Sequence, residues 1–549
     1  MRPDPAPVPV RADLRPAAAL AALALVAAAG GCGKKTTLSV KVYAPTGAAD
    51  PFASAARVRM TLGDKLSDAE VAGGKFDVSV ELDSPSSDTL QHLVLEAFDA
   101  GGAVIGRGRT PDFQITADNY QVGVFVGRTG QISPTDLYLP DDLTAGATTP
   151  PLPAALGRTG VQATALRGRQ VSPAEPGYGA LIAGGVGEGG RTLGGAWLYQ
   201  ALTHQLIDAG TLLAPRQDGV LLPSADASVG QEAVLVGGAT SGGMLLSAAE
   251  KFSPRVSAKS QLWAAPAGDV TELVKPGLLG PAVAELFLSG GPVPDSVFLV
   301  AGGSEDGAGL VPSAQAALAR RFPAPDGATD TSARAGVKPI APPQGQAAPM
   351  LVGRSGHSAT AVSATAAILF GGLTRADEMA GKPVAERFSL EKTAFERVDL
   401  KPAVPSRRGH VALKLKSGRV LIAGGYVDDG SGKPQALRSA LLLNPNDLTV
   451  EERPMLLNTA RYAAAIAAVE NDVLICGGYD TSGSALADCE LLKNEQPGEA
   501  LAMMTQSVAL PRPRAEHVMV TLENGLVLLI GGTGEGKRPI AAIDFYVPR

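Results

Sequence analysis

Seven times along this chain an apolar run stops at a pair of glycines. The runs are Leu181 to Ala183 before Gly184-Gly185, Val234 to Val236 before Gly237-Gly238, and Val297 to Ala301 before Gly302-Gly303. Four more follow: Ala366 to Phe370 before Gly371-Gly372, Val420 to Ala423 before Gly424-Gly425, Val473 to Cys476 before Gly477-Gly478, and Leu526 to Ile530 before Gly531-Gly532. The first glycines lie 53, 65, 69, 53, 53 and 54 residues apart. A period near fifty built on short apolar strands predicts a toroidal β-array rather than a string of separate folds. Upstream, from Thr36 to Arg128, apolar and polar residues alternate instead. Leu38/Val40/Val42, Val58/Met60/Leu62, Phe76/Val78/Val80/Leu82, Leu93/Leu95/Ala97, Val104-Ile105, Phe113/Ile115 and Val122/Val124/Val126 predict seven strands of a small β-sandwich.

The repeat holds more than its glycines. After each pair a small residue precedes an aromatic or Leu by three: Ala196/Tyr199, Ala249/Phe252, Ala319/Phe322, Ala385/Phe388, Ala440/Leu443, Cys489/Leu492 and Ala542/Phe545. Arg158, Arg216, Arg354, Arg408, Arg461 and Arg514 open most repeats, and His357, His410 and His517 each stand 14 residues before their first glycine. In Arg354-Ser355-Gly356-His357 and Arg408-Gly409-His410 above all, the chain resembles a kelch-repeat β-propeller, the fold of the galactose oxidase central domain. The resemblance implies a first strand with Arg-x-Gly-His, a second ending in the glycine pair, then a third and a fourth. It departs from the family in lacking the fourth-strand tryptophans, since Trp197 and Trp263 are the only two. The last repeat stops after its third strand, so Asp136 to Pro140 is expected to supply the missing fourth and close the ring.

The predicted fold is therefore all-β, a seven-bladed kelch-type β-propeller over residues 131–549 preceded by a β-sandwich over 32–130. Residues 1–31 read as an export signal: Arg2, Arg11 and Arg15 precede the apolar stretch Ala17 to Ala29. Ala29-Gly30-Gly31-Cys32 resembles a bacterial lipoprotein cleavage box, which implies cleavage before Cys32 and its lipidation. Gly33 after the cysteine implies the outer membrane, on its periplasmic side or at the cell surface.

Composition narrows the function. A formal charge of −6 without a Lys/Arg cluster argues against nucleic acid. Aromatics at 4% leave the core to Val, Leu, Ile and Ala. The phased histidines are expected to pack, or to bond backbone, beneath the glycine turns rather than to hold a metal. His92 and His204 are expected to be structural. Kelch-fold galactose oxidase holds copper with two Tyr and two His, but no Tyr–His set here stands apart from the repeat, and no cofactor or metal is expected. Cys476 and Cys489 lie on neighbouring strands of the sixth repeat and are a candidate disulfide in an oxidising compartment.

Loop lengths vary at the end of the array that bears the glycine pairs, and the same loops are acidic: Glu188, Glu305, Asp306, Asp377, Asp428, Asp429, Asp480 and Glu535. These eight form the candidate ligand face, against the plainer reading that they are turn residues. The resulting expectation is a monomeric, membrane-anchored binding or scaffold protein of the envelope that takes a protein or glycan partner through its loops. The alternative is a carbohydrate-active enzyme with its site in the central pocket. Charged groups with perturbed pKa converging there favour the enzyme, whereas a broad loop surface favours binding.

Overall fold

The computed structural model describes residues 22–26, 37–45, 47–76, 90–113, 120–134, 158–166, 179–223, 232–254, 262–266, 277–288, 295–309, 311–322, 334–373, 381–428, 433–493 and 505–549. Regular structure among them is β-strand apart from short 3-10 turns. No described helix is long and apolar enough to cross a membrane.

From Gln131 onward the described strands form seven four-stranded antiparallel sheets. Sheet one is Gln162–Ala165, Gly179–Ala183, Gly195–Gln200 and Gln205–Thr211, and sheet two is Gln217–Pro223, Ala233–Ala239, Glu250–Phe252 and Trp263–Ala264. Sheet three is Ala282–Leu288, Asp295–Ala301, Ala316–Phe322 and Arg334–Pro339, and sheet four is Ser358–Ala361, Ala366–Phe370, Ala385–Ser389 and Ala394–Val398. Sheet five is Val411–Lys414, Val420–Ala423, Ala440–Leu443 and Val450–Arg453; sheet six is Ala465–Val469, Asp472–Cys476, Asp488–Leu492 and Thr505–Ala509. Sheet seven takes Val518–Thr521, Val527–Ile530 and Ile543–Val547 from the end of the chain and Gln131–Pro134 from before sheet one. That fourth strand lies upstream of the expected 136–140 segment, which falls outside the described residues; Gln131 pairs with Val547 and Pro134 with Asp544.

The apolar runs are continuous because each second strand is covered on both faces. In sheet one, Ala180 and Ile182 pack toward sheet seven, while Leu181 and Ala183 pack toward sheet two. The same division recurs between sheets two and three, three and four, four and five, five and six, and six and seven. Each Leu, Ile or Val so buried contributes roughly 1.5–3 kcal/mol.

Both glycines of every pair have φ between +57° and +98°, a region a side chain seldom enters. This kink aims the second glycine's N–H at the following sheet. Gly185 donates to Arg216 O, Gly238 to Leu278 O, Gly303 to Arg354 O, Gly372 to Arg407 O, Gly425 to Arg461 O, Gly478 to Arg514 O and Gly532 to Arg158 O, all at 2.7–2.9 Å. The seventh bond returns to the sheet where the first began.

The arginine side chains fasten each sheet internally. Arg354 Nη1 donates to Gly371 O at 2.6 Å and to Val384 O at 2.9 Å, and its Nε meets Glu386 Oε1 at 3.0 Å. Arg461 repeats this on Gly477 O at 2.8 Å and Glu490 Oε1 at 2.7 Å. Arg216 pairs with Glu250 and Arg514 with Asp544. Glu490 in turn accepts from Asn458 N at 2.7 Å and Thr459 N at 3.0 Å, so that buried carboxylate is both paired and hydrogen-bonded, whereas the buried Arg407 of sheet five is held by Gly424 O, Ser439 O and Ser439 Oγ.

Three details of the repeat differ from expectation. The buried arginine of sheet five is Arg407, bonding Gly424 O at 3.0 Å, while Arg408 occupies the next position and donates to Ser355 O. The Arg-x-Gly-His spacing is kept only from Arg407, three residues before His410. In sheet three Ala301 pairs with Ala316, and in sheet seven Ile530 pairs with Ile543, so Ala319 and Ala542 are not the equivalents of Ala196 and Ala385. Alanine is common enough near those strands to mislead a pattern match, whereas pairing depends on register.

The N-terminal region has a five-stranded sheet ordered Lys65–Glu70, Arg57–Leu62, Leu93–Phe98, Val104–Arg109, Gly127–Arg128. Beside it Ala22–Val26, Thr37–Tyr43 and Tyr120–Phe125 form a three-stranded sheet. Val40, Val42, Val122 and Val124 of the small sheet share one core with Val58, Met60, Leu93 and Leu95 of the larger. Lys65–Glu70 lacks an apolar stripe and was not expected as a strand, since hairpin pairing with Arg57–Leu62 forms it. The expected strand after Phe76 lies mostly outside the described residues. Leu202 of sheet one enters the N-terminal core, and Gly123 N donates to its carbonyl at 2.7 Å.

Candidate functional site

Of the sequence-nominated residues, Cys32, Asp377 and Asp429 lie outside the described residues. Cys476 and Cys489 are directly opposed across sheet six and joined as a disulfide, Cα atoms 4.0 Å apart. The acidic loops divide. Glu188 and Glu535 are exposed. Asp428 closes a small ribbon opposite Pro434. Asp480 accepts from Ser482 N at 2.8 Å, Ser482 Oγ at 2.6 Å and Ser484 N at 3.0 Å, and the Ser482 hydroxyl foremost holds its pKa below the usual carboxylate value. Asp306 accepts from Ser304 Oγ at 2.5 Å and Val311 N at 3.1 Å, and Glu305 from Ser313 Oγ at 2.8 Å. At these three positions the carboxylate organises its own loop.

The phased histidines fill the space beside the glycines. A Cβ on Gly302, Gly371 or Gly477 would fall 2.4, 2.9 or 3.2 Å from Cε1 of His357, His410 or His517 in the following sheet. A Cβ on Gly372, Gly425 or Gly532 would fall 2.8, 2.8 or 2.7 Å from that same histidine's own Cβ. His410 Nε2 also meets Ser358 Oγ at 2.8 Å. Burial, then the neighbouring arginines, lowers His357 and His410 to about 3 and depresses His517 too. His204 is likewise lowered to about 3 by burial, within an aromatic group of Tyr43, Phe125, Tyr199 and Phe545. Among the described residues no group of three His, Cys, Asp or Glu is placed to hold a metal ion.

A different set converges two residues after the arginine position. Gly160, Asp218, Gly280, Gly356, Gly409, Ala463 and Glu516, one from each sheet, all have φ between +51° and +65°. Their backbones link neighbouring sheets: Asp218 N to Gly160 O at 3.0 Å, Gly280 N to Asp218 O at 2.8 Å, Gly409 N to Gly356 O at 2.8 Å, Ala463 N to Gly409 O at 2.8 Å and Glu516 N to Ala463 O at 3.0 Å. These turns lie at the glycine-pair end of the sheets. Four repeats place glycine there, as the backbone demands. Asp218 and Glu516 hold carboxylates there despite a strain of roughly 1–2 kcal/mol for a residue with a side chain.

Around those two carboxylates the surroundings are polar and aromatic. Asp218 Oδ1 lies 2.5 Å from where a Gly160 Cβ would stand, so Gly160 leaves room for it. Burial, then the Glu516 charge, raises Asp218 to about 6. Glu516 is exposed and accepts from Thr533 Oγ1 at 2.8 Å. The Tyr479 hydroxyl meets Glu516 and Thr533, and burial followed by the Glu516 charge raises it to about 12. Tyr426, Tyr462 and Tyr479 follow in series, ring centres 5.1 and 5.5 Å apart. The equivalent turns of sheets three and four carry Leu279-Gly280 and Ser355-Gly356 instead.

A separate cavity of about 290 Å³ lies between the N-terminal sheets and sheets one, six and seven, lined by Arg107, Arg109, Tyr199, Glu470, Glu523 and Asn524 among others. Its cations face acids of their own region, Arg107 with Glu96 at 3.7 Å and Arg109 with Asp112 at 3.3 Å. It has the character of a seam between modules.

Sequence reasoning did not single out Asp218, Glu516 or the tyrosine series. The signal was available as a departure from the motif, since Arg216-Gln217-Asp218 and Arg514-Ala515-Glu516 replace the glycine of Arg-x-Gly. No known family model matches the chain.

Proposed function

We propose that this chain is a lipid-anchored envelope protein, a seven-bladed kelch-type β-propeller on a β-sandwich, that captures a protein or glycan ligand at the glycine-pair opening. The propeller reading is supported by the cycle of sheet-to-sheet hydrogen bonds, the core between every two consecutive sheets, and the strand Gln131–Pro134 completing sheet seven. Export and anchoring rest on the basic and apolar order before Cys32. Strand Ala22–Val26 belongs to that segment and would leave with it on cleavage.

The observation that carries the binding site is the pair Asp218 and Glu516, two carboxylates held in left-handed turns where four repeats have glycine and sheet six has Ala463. Such strain persists where it serves a site. The test is capture of partners from an envelope extract by the full chain. Wild type is expected to retain a partner that Asp218→Asn/Glu516→Gln loses while melting at the same temperature or higher. Undiminished capture by that variant would reject this placement.

A specific observation also favours the enzyme reading. Asp218 beside Glu516, titrating near 6, suits a proton donor or acceptor close to neutral pH. Turnover of a captured saccharide that follows a group near pH 6 and disappears in Asp218→Asn would establish it, and capture without turnover leaves binding.

A further inference from the structure

We propose that the opening takes a saccharide that is neutral or amine-bearing, seated on the tyrosine series with its hydroxyl or amine donors on Asp218 and Glu516. This rests on the placement of the ligand site above and adds the chemical class. The argument begins with what each group lacks. The Asp218 carboxylate receives no hydrogen bond from the described residues, although protein surrounds much of it and Glu516 stands nearby. An acceptor in that state is completed by a ligand that donates. Glu516 is held by Thr533 and Tyr479 but is exposed, so its remaining acceptor capacity faces the opening.

The tyrosines set the class. Aromatics make up 4% of the chain, yet three of its nine tyrosines stand consecutively here. Tyr426 and Tyr462 are only partly buried, so they are not consumed by the core. A pyranose ring presents an apolar C–H face to such rings while its edge carries hydroxyls for carboxylates, and both halves of the site are then used. A lone amine would satisfy the acids and leave the rings idle. Two carboxylates at one point disfavour a uronate, sialate or phosphate group seated on them, while Arg408, the cation of these turns, is turned to the sheet-four side, where it donates to Ser355 O.

The experiment is a glycan array carrying neutral, amino and acidic oligosaccharides, probed with the full chain and with Asp218→Asn, Asp218→Ala, Tyr462→Ala and, as a surface control away from these groups, the exposed Met455→Ala, each checked for an unchanged melt. Binding is expected on neutral or amino glycans only, reduced at least tenfold by the Asp218 and Tyr462 variants and kept by Met455→Ala. A blank array, a preference for acidic glycans, or binding indifferent to Asp218 and Tyr462 overturns the proposal. If partner capture from the extract survives a blank array and still needs Asp218 and Glu516, the saccharide class fails while the site stands; if capture is also lost, both fail.

Discussion

Sheets three and four carry Gly280 and Gly356 two residues past the arginine position, whereas sheets seven and two carry Glu516 and Asp218 there, at the same turn and nearly the same φ. Backbone geometry is common to both sectors, so the difference lies in the side chains. Where the turn only has to be made, glycine makes it without strain in four sheets, and in sheet six the small Ala463 makes it. Where a carboxylate replaces glycine, the molecule accepts strain and like charges together, neither of which helps the ring hold. A parallel contrast runs through the framework. Sheet four has the buried Arg354–Glu386 pair and His357, whereas sheet three has Leu278 and Pro281 at those positions and still pairs with both neighbours. Sheet three does without the set and sheet five keeps Arg407 on carbonyl and hydroxyl oxygens, whereas removing Arg354 alone leaves Glu386 a buried carboxylate without its cation.

The largest expected effect sets the histidine-bearing sheets against the rest. His204, His357, His410 and His517 all have folded pKa values depressed below the ordinary 6.5. Their stabilising contribution is complete above the unfolded value and is lost as pH falls toward the folded one, because the unfolded chain binds the protons. Between pH 7 and 5 His204, His357 and His410, lowered to about 3, each withdraw about 2 kcal/mol, and His517 acts in the same direction. Denaturant melts at the two pH values check this, and His357→Ala/His410→Ala should flatten the dependence. Asp218 has the opposite sign: its pKa is raised, so it loses stability as pH rises from about 3.8 through about 6, one group against four.

Next in size is the half-broken fastener. Arg354→Leu leaves Glu386 buried without its cation and should cost about 3–5 kcal/mol, while Arg354→Leu/Glu386→Leu, nearer to sheet three, should cost much less. Equal losses in urea unfolding would mean that packing, not charge, decides.

The smallest effect on stability is also the most informative about function. Asp218→Gly and Glu516→Gly convert the active sector into the likeness of the opposite one. Each should change stability by no more than about 1 kcal/mol, in the stabilising direction if strain relief prevails, while partner capture falls. A large loss of stability would make these carboxylates part of the framework.

Much of this architecture was legible because glycine pairs leave a mark that hardly any other residue can replace. Their count and spacing anticipated the sheets from sheet one to sheet seven. Register was less legible. Ala319 and Ala542 satisfied the spacing rule but not the pairing, and Arg408 drew attention from the buried Arg407 because two arginines adjoin. The fourth strand of sheet seven lies at Gln131–Pro134, where Ile132 enters the core, rather than at the more conspicuous motif downstream. The acidic loops stood out by composition, yet Glu305, Asp306 and Asp480 serve their own turns. The convergent pair was hidden because nearly 300 residues of sequence separate Asp218 from Glu516. Only the return of the seventh sheet to the first makes them neighbours.

The central claim is that ligand recognition resides where the repeat departs from its own glycine. A crystal structure of the full chain with the ligand recovered from the envelope extract tests it most directly. The account predicts ligand density inside the opening, within hydrogen-bond distance of Asp218 and against the Tyr462 ring. Density confined to the outer acidic loops, or to the seam lined by Arg107 and Arg109, would contradict it.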